Sequence, residues 1–146
     1  MFMKFKLIIF MALIMTTQAN ASAVLKLPPC VNSPNCVSSQ ANPLDERHYI
    51  APFKISGTPA AAWLALRKAI QKQDRTTITH DTDTSLHATA VSLVFSFVDD
   101  VDIILDVNAG LIHIRSASRV GHSDFGVNRR RIEALRTQLR KANVVE

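Results

Sequence analysis

No run of apolar residues in this chain approaches the ~20 that a helix needs to cross a bilayer. The longest, Leu7 to Met15, is far shorter, so no span is expected in the mature chain, with an uncleaved N-terminal anchor as the alternative reading of that run. There is no G-x-S-x-G elbow and no H-E-x-x-H pair, so two common hydrolase signatures are missing. His48, His80, His87, His113 and His122 are scattered without metal-ligand spacing, and no metal or other cofactor is expected. Cysteine is limited to Cys30 and Cys36, and neither follows the apolar run closely enough to carry a lipid. The charge balance is mild, with 17 Lys and Arg against 12 Asp and Glu for a formal +5. That excess is too small to point to nucleic acid. No internal repeat or low-complexity tract occurs.

What is present begins at the N-terminus. Met1 to Lys6 carries Lys4 and Lys6 and no acid, the apolar run follows, and Thr16 to Ala23 reads T-T-Q-A-N-A-S-A. A basic, then apolar, then small-residue order is that of a cleavable export signal. We expect a signal peptide over residues 1–21, cut after Ala19-Asn20-Ala21, with Ala21-Ser22-Ala23 as the alternative site. The expected location is outside the cytoplasm, in the periplasm or secreted. With the leader go Lys4 and Lys6, which takes the formal charge from +5 to +3. The remainder has the size of one domain: a loop segment over 22–45 and an α+β body over 46–146.

Both cysteines lie in P-P-C-V-N-S-P-N-C-V-S-S. In an oxidising compartment a near pair separated by turn-forming residues predicts a disulfide. The loop is tiny, so the stabilisation sits at the small end of ~2–4 kcal/mol. A redox pair would need closer spacing and a helix N-terminus, and a metal would need further soft ligands.

Further along, His48 to Ile55 has strand character, but Pro52 confines it to an edge or splits it. Thr58 and Pro59 are suited to the cap and first turn of a helix. Trp63, Leu66 and Ile70 recur at helical spacing up to about Gln73, with Trp63 as core. Strands are expected at Arg75–His80, at the long apolar stretch Leu86–Val98, and at the alternating stretches Val101–Val107 and Leu111–Ala117. A two-residue turn near Asn108-Ala109-Gly110 would set Ile112 and Ile114 opposite Val107 and Leu105. Phe125, Asn128, Ile132, Leu135 and Leu139 mark a final helix capped by Ser123 or Asp124. Strand, helix, antiparallel strands and helix predict an α+β two-layer sandwich, its mostly antiparallel sheet carrying two helices on one face.

Polarity concentrates in three segments: Phe97-Val98-Asp99-Asp100, Arg115-Ser116-Ala117-Ser118-Arg119, and Ser123 through Arg131. Together with C-V-N-S-P-N-C-V-S-S at 30–39 they resemble the bacterial and chloroplast proteins grouped as domain of unknown function 1499. The longest shared stretch is R-S-A-S-R-V-G-H-S-D-F-G-V-N-R at 115–129. Val101-Asp102-Ile103 departs from the family by lacking an aromatic after the acid. The resemblance implies no activity.

The candidate ligand-binding residues are therefore Asp99, Asp100, Arg115, Ser116, Ser118, Arg119, Ser123, Asp124, Asn128 and Arg129. As a binding site they would take a small anion or an acidic peptide, since arginines at a helix N-terminus lie at the unfavourable end of its dipole unless an anion or carboxylate offsets them. As a salt-bridge network they would lock the last helix to the sheet, the arginine fork meeting carboxylates in bidentate fashion. A hydrolase would use Asp99 or Asp100 as base and Ser116 or Ser118 as nucleophile, with His113 or His122 near in sequence. An Asp99-Asp100-Asp102 calcium site is the remaining alternative. No specific motif supports the last two, and no catalytic residue is assigned.

Overall fold

The computed structural model describes residues 25–93 and 95–146. The expected signal peptide lies outside the described residues. No helix among those described is long and apolar enough to cross a membrane.

The elements run β1 (Cys36–Ser38), β2 (Phe53–Lys54), α1 (Pro59–Gln71), β3 (Thr76–Asp81), β4 (Ser85–Val91), β5 (Val98–Asp106), β6 (Leu111–Ser118) and α2 (Val127–Lys141). The sheet order is β1-β6-β5-β4-β3, with β2 also on β6, and every pairing is antiparallel. Val101, Ile103, Leu105, Ile112 and Ile114 share one core with Trp63, Leu66 and Ile70 of α1 and Ile132, Leu135 and Leu139 of α2. Both helices therefore lie on one face of the sheet, the expected two-layer sandwich.

Local chemistry explains the helix ends. The Thr58 hydroxyl accepts the Ala61 N–H at 3.2 Å and Pro59 opens the first turn. Trp63 is core as expected, and its indole N–H donates to the Thr82 carbonyl at 3.2 Å. At α2 the last residue before the helix is Gly126, with φ 77°, while the side-chain cap comes from Asp124 two residues earlier. Ser123 does not cap the helix, and its hydroxyl accepts the Phe125 N–H instead. Phe125 does not join the apolar face of the helix: it precedes α2, at φ 53°, and is 86% exposed.

Two further expectations change. The stretch 86–98 is not one strand. β4 ends at Val91, and the chain returns through a link into β5, where Ser92 N–H donates to the Phe97 carbonyl. The hairpin pairs Leu105 with Ile112 and Ile103 with Ile114, around a four-residue turn at 107–110. Apolar still faces apolar, but β5 is shifted by two residues from the expected register, because Asp106 Oδ1 accepts the Ala109 N–H and closes a longer turn with Gly110 at φ 66°. Pro52 does split the segment 48–55, leaving only Phe53–Lys54 as strand. That short edge is pinned by Arg136, buried in α2, which donates to the carbonyls of Ala51 and Pro52 and stacks 4.6 Å over Phe53. Cys30 and Cys36 are bonded, as the spacing predicts.

Candidate functional site

Asp99 and Asp100 lie within β5 rather than in a link before it. Successive strand residues point to opposite faces, so the two carboxylates are separated by the sheet. This divides the ten candidate residues into two clusters and leaves a few apart from both.

The first cluster is on the helix face, beneath the start of α2. Asp99 is 3% exposed, and its Oδ2 accepts from Arg131 Nη2 at 2.6 Å. Arg131 Nη1 also donates to Ser116 Oγ at 3.0 Å and Asn128 Oδ1 at 2.7 Å. The Ser116 hydroxyl donates to the same Asn128 oxygen. Asn128, fully buried, donates from Nδ2 to Ser118 Oγ, to an Asp124 oxygen and to the Asn35 carbonyl. Asp124 also accepts the backbone N–H of Gly126 and of Asn128. Burial would raise the Asp124 carboxyl, but those backbone donors outweigh it and hold it below its ordinary range. Asn35 closes the arrangement: its Nδ2 donates to the Gly121 carbonyl at 2.7 Å, and its own carbonyl accepts Ser118 N–H. The disulfide loop, the start of β5, the end of β6 and the start of α2 thus meet in one buried network. They are the same segments that carry the family resemblance.

The second cluster is a stripe across the other face. Arg115 Nη1 donates to Asp102 Oδ2 at 2.9 Å. His87 has Nδ1 at 2.7 Å from Asp102 Oδ1 and Nε2 at 3.3 Å from Asp100 Oδ1. Arg119 engages both oxygens of Asp100 through Nε and Nη2. That hydrogen bond is the main reason the Asp100 carboxyl sits below its ordinary range. Arg129 belongs to neither cluster, since its Nη2 donates to the carbonyls of Glu46 and Arg47. Ser123 is exposed on the link before α2. Four participants lay outside the ten candidates: Arg131, Asp102, Asn35 and His87. Arg131 carried a usable signal, because it lies three residues after Asn128 and so on the same helix face.

No group of three or more His, Cys, Asp or Glu side chains among the described residues is arranged to hold a metal. Neither Ser116 nor Ser118 contacts a histidine among them; their partners are Asn128, Arg131 and backbone. A serine–histidine contact does occur elsewhere, Ser39 Oγ to His113 Nδ1 at 3.2 Å. Ser39 is buried, and its oxygen accepts the Ile114 N–H. Burial lowers the His113 pKa, which favours the neutral ring. This pair stitches the N-terminal segment to β6 and presents no nucleophile to solvent.

Above the buried network lies a pocket of about 510 Å³, bounded by the end of α1, the β4–β5 link and the β6–α2 link. Asp99, Ser118, Asp124 and Arg131 form its polar base. Its walls are apolar, with Leu93, Phe95, Phe97, Val120 and Phe125, all exposed to solvent. Two other hollows have similar volumes, about 510 and 540 Å³, but are lined mainly by loop and hairpin residues such as Pro28, Asn42 and Asn108. Size does not separate the three; the pairing of apolar walls with converging polar groups does.

The fold and this site define a small two-layer α+β domain built round a buried Asp–Arg–Asn network. Over residues 26–139 the chain matches the family described as protein of unknown function (DUF1499), and it belongs to that family. A search of curated proteins found no match, and neither did a search of solved structures.

Proposed function

We propose that this chain is an exported, non-catalytic binding domain that holds a small amphiphilic molecule in the pocket above Asp99 and Arg131. The observation that carries the reading is the pocket's composition, apolar side chains from two links standing over a polar base. Export is supported by the leader pattern and by a disulfide that suits an oxidising compartment.

The base argues for the head group. Arg131 is already shared among Asp99, Ser116 and Asn128, and Arg75, the other guanidinium on the lining, stands at the rim and donates to the Val91 carbonyl. Asp99 and Asp124 supply two carboxylates, and Ser118 a hydroxyl. A head group that donates hydrogen bonds, an ammonium or hydroxyls, suits that balance better than a free anion. Arg115, Arg119 and Arg129, on which an anion site would depend, line no part of this pocket. A purely structural role for the network is the second reading, and the mutual satisfaction of its members supports it.

The test is thermal unfolding with monomeric dodecylamine, an alkyl glycoside and dodecanoate, each below its micelle concentration. Ligand at tenfold excess over Kd adds about 1.4 kcal/mol to stability. We expect the amine and glycoside to raise the midpoint, and Phe95→Ala with Phe97→Ala to abolish the rise. If none of the three stabilises the protein, or if dodecanoate is the best of them, the pocket reading is wrong.

A further inference from the structure

The apolar walls of the pocket extend beyond it. Phe125 is 86% exposed, Leu93 74% and Phe95 71%. Phe95 and Phe97 stack with ring centroids 5.5 Å apart, a platform that faces water rather than the core. Phe125 holds a left-handed backbone at φ 53° that bulky residues disfavour. Neither core packing nor helix capping explains these side chains, because α2 is capped by Asp124 and its buried face starts at Asn128. Clustered exposed aromatics of this kind mark an interaction surface.

The charges around them indicate the partner. Exposed Arg75 donates from Nε to the Val91 carbonyl at 3.1 Å, at the base of the β4–β5 link. Exposed Arg130 donates from Nη1 to the Phe125 carbonyl at 2.7 Å, at the base of the other. Asp74 adds one negative charge to the rim. Apolar tips with guanidiniums at their base fit an anionic lipid surface, where aromatic rings settle at headgroup depth and arginines reach phosphate. A second copy of the chain would bring the same arginines face to face, and like charges across an interface are unfavourable. We propose that this end of the molecule docks on an anionic lipid surface, with Leu93, Phe95 and Phe125 entering the headgroup layer and Arg75 and Arg130 meeting the phosphates. The inference goes beyond the pocket reading and does not require the pocket to be filled.

Residues 7–15 of the full chain are themselves apolar, so a site-specific reporter is needed rather than bulk co-sedimentation. Trp63 is the only tryptophan and is 4% exposed in the core, so Phe125→Trp adds a second emitter whose surroundings differ. The full chain with Phe125→Trp is titrated with vesicles of brominated phosphatidylglycerol or brominated phosphatidylcholine at low salt. We expect emission from position 125 to be quenched by the anionic vesicles and much less by the neutral ones. Adding Phe95→Ser should weaken partitioning on the order of tenfold. Arg75→Gln with Arg130→Gln should remove the preference for phosphatidylglycerol, and moderate salt should do the same. The proposal fails if phosphatidylglycerol leaves the emission unchanged while circular dichroism shows an intact fold. Equal quenching by both lipids also overturns it. A concentration-dependent dimer that Phe125→Ser abolishes, without any vesicle response, would assign the face to a second copy instead.

Discussion

Asp99 and Asp100 are neighbours in sequence, both bound by arginine, yet they do different work. Asp99 faces the helices, with its side chain 4% exposed and bonded to Arg131, which is itself 14% exposed. Asp100 faces away from them, and its partner Arg119 is 51% exposed. A buried carboxylate whose cation is removed is left in a medium that cannot solvate it, whereas an exposed one is screened by water. The two-residue period of the strand therefore turns one Asp-Asp pair into a buried clamp on one face and a half-buried stripe, open at Arg119, on the other. Charge pattern alone does not distinguish such roles; the parity of the strand does.

The largest effect should come from breaking the buried side. Arg131→Met leaves Asp99 unpaired beneath α2 and should cost about 3–5 kcal/mol, read by urea unfolding at pH 7. Adding Asp99→Asn removes the orphaned charge, so the double variant should recover a substantial part of that loss. If Arg131→Met unfolds like wild type, Asp99 is solvated and the two faces do not differ as argued.

Next in size is Asn128→Ala. It deletes the side chain that joins Ser116, Ser118, Asp124 and the Asn35 carbonyl. Leaving such buried groups unpaired costs about 1–3 kcal/mol. The loss should also loosen the disulfide loop from the end of β6, so Ser118 N–H, which donates to Asn35, should exchange faster with deuterium. Unchanged protection at Ser118 would mean that Asn35 is held there without Asn128.

Much of this architecture is legible in the residues. Thr58-Pro59, the 63–66–70 spacing and the alternation through β5 and β6 each express one dominant local preference, and each led to the right element. The failures share a cause. Leu93, Phe95 and Phe97 make the stretch 86–98 apolar on both parities, which is what a buried central strand looks like. Exposed apolar links have the same composition, and only tertiary context separates them. Reading 99–100 as a link followed from that, and with it the expectation that both acids share a site. The network was legible in composition, since Asp99, Ser116, Ser118, Asp124 and Asn128 were all singled out. Its cation was misassigned to Arg115, Arg119 and Arg129, because segment proximity carries no information about which face a side chain takes. Asn35 was out of reach: its bond to Gly121 spans 86 residues and follows no period.

The smallest effect concerns the open face and is visible mainly in acid. Asp100 is held below its ordinary value of 3.8, first by the Arg119 hydrogen bond and then, against the opposing effect of burial, by the charges of Arg119, His87 and Arg115. A carboxyl with a lower pKa in the folded state contributes stability above its unfolded pKa, and that contribution disappears as pH falls through the folded value. Arg119→Ala should therefore change stability little at pH 7, because water reaches the half-buried carboxylate that it leaves, and His87 and Arg115 stay beside it. Below about pH 4 the variant should lose stability less steeply than wild type, having less proton-linked stabilisation to give up. Asp124, lowered by backbone donors on the other face, keeps its own contribution, so some acid dependence must remain. Salt should shrink the wild-type difference, since an exposed pair is screened within a Debye length. Unfolding midpoints of both proteins from pH 2.5 to 7, at low and high salt, decide the matter. A loss at pH 7 as large as that of Arg131→Met would place Asp100 in a buried network too, and the contrast between the faces would collapse.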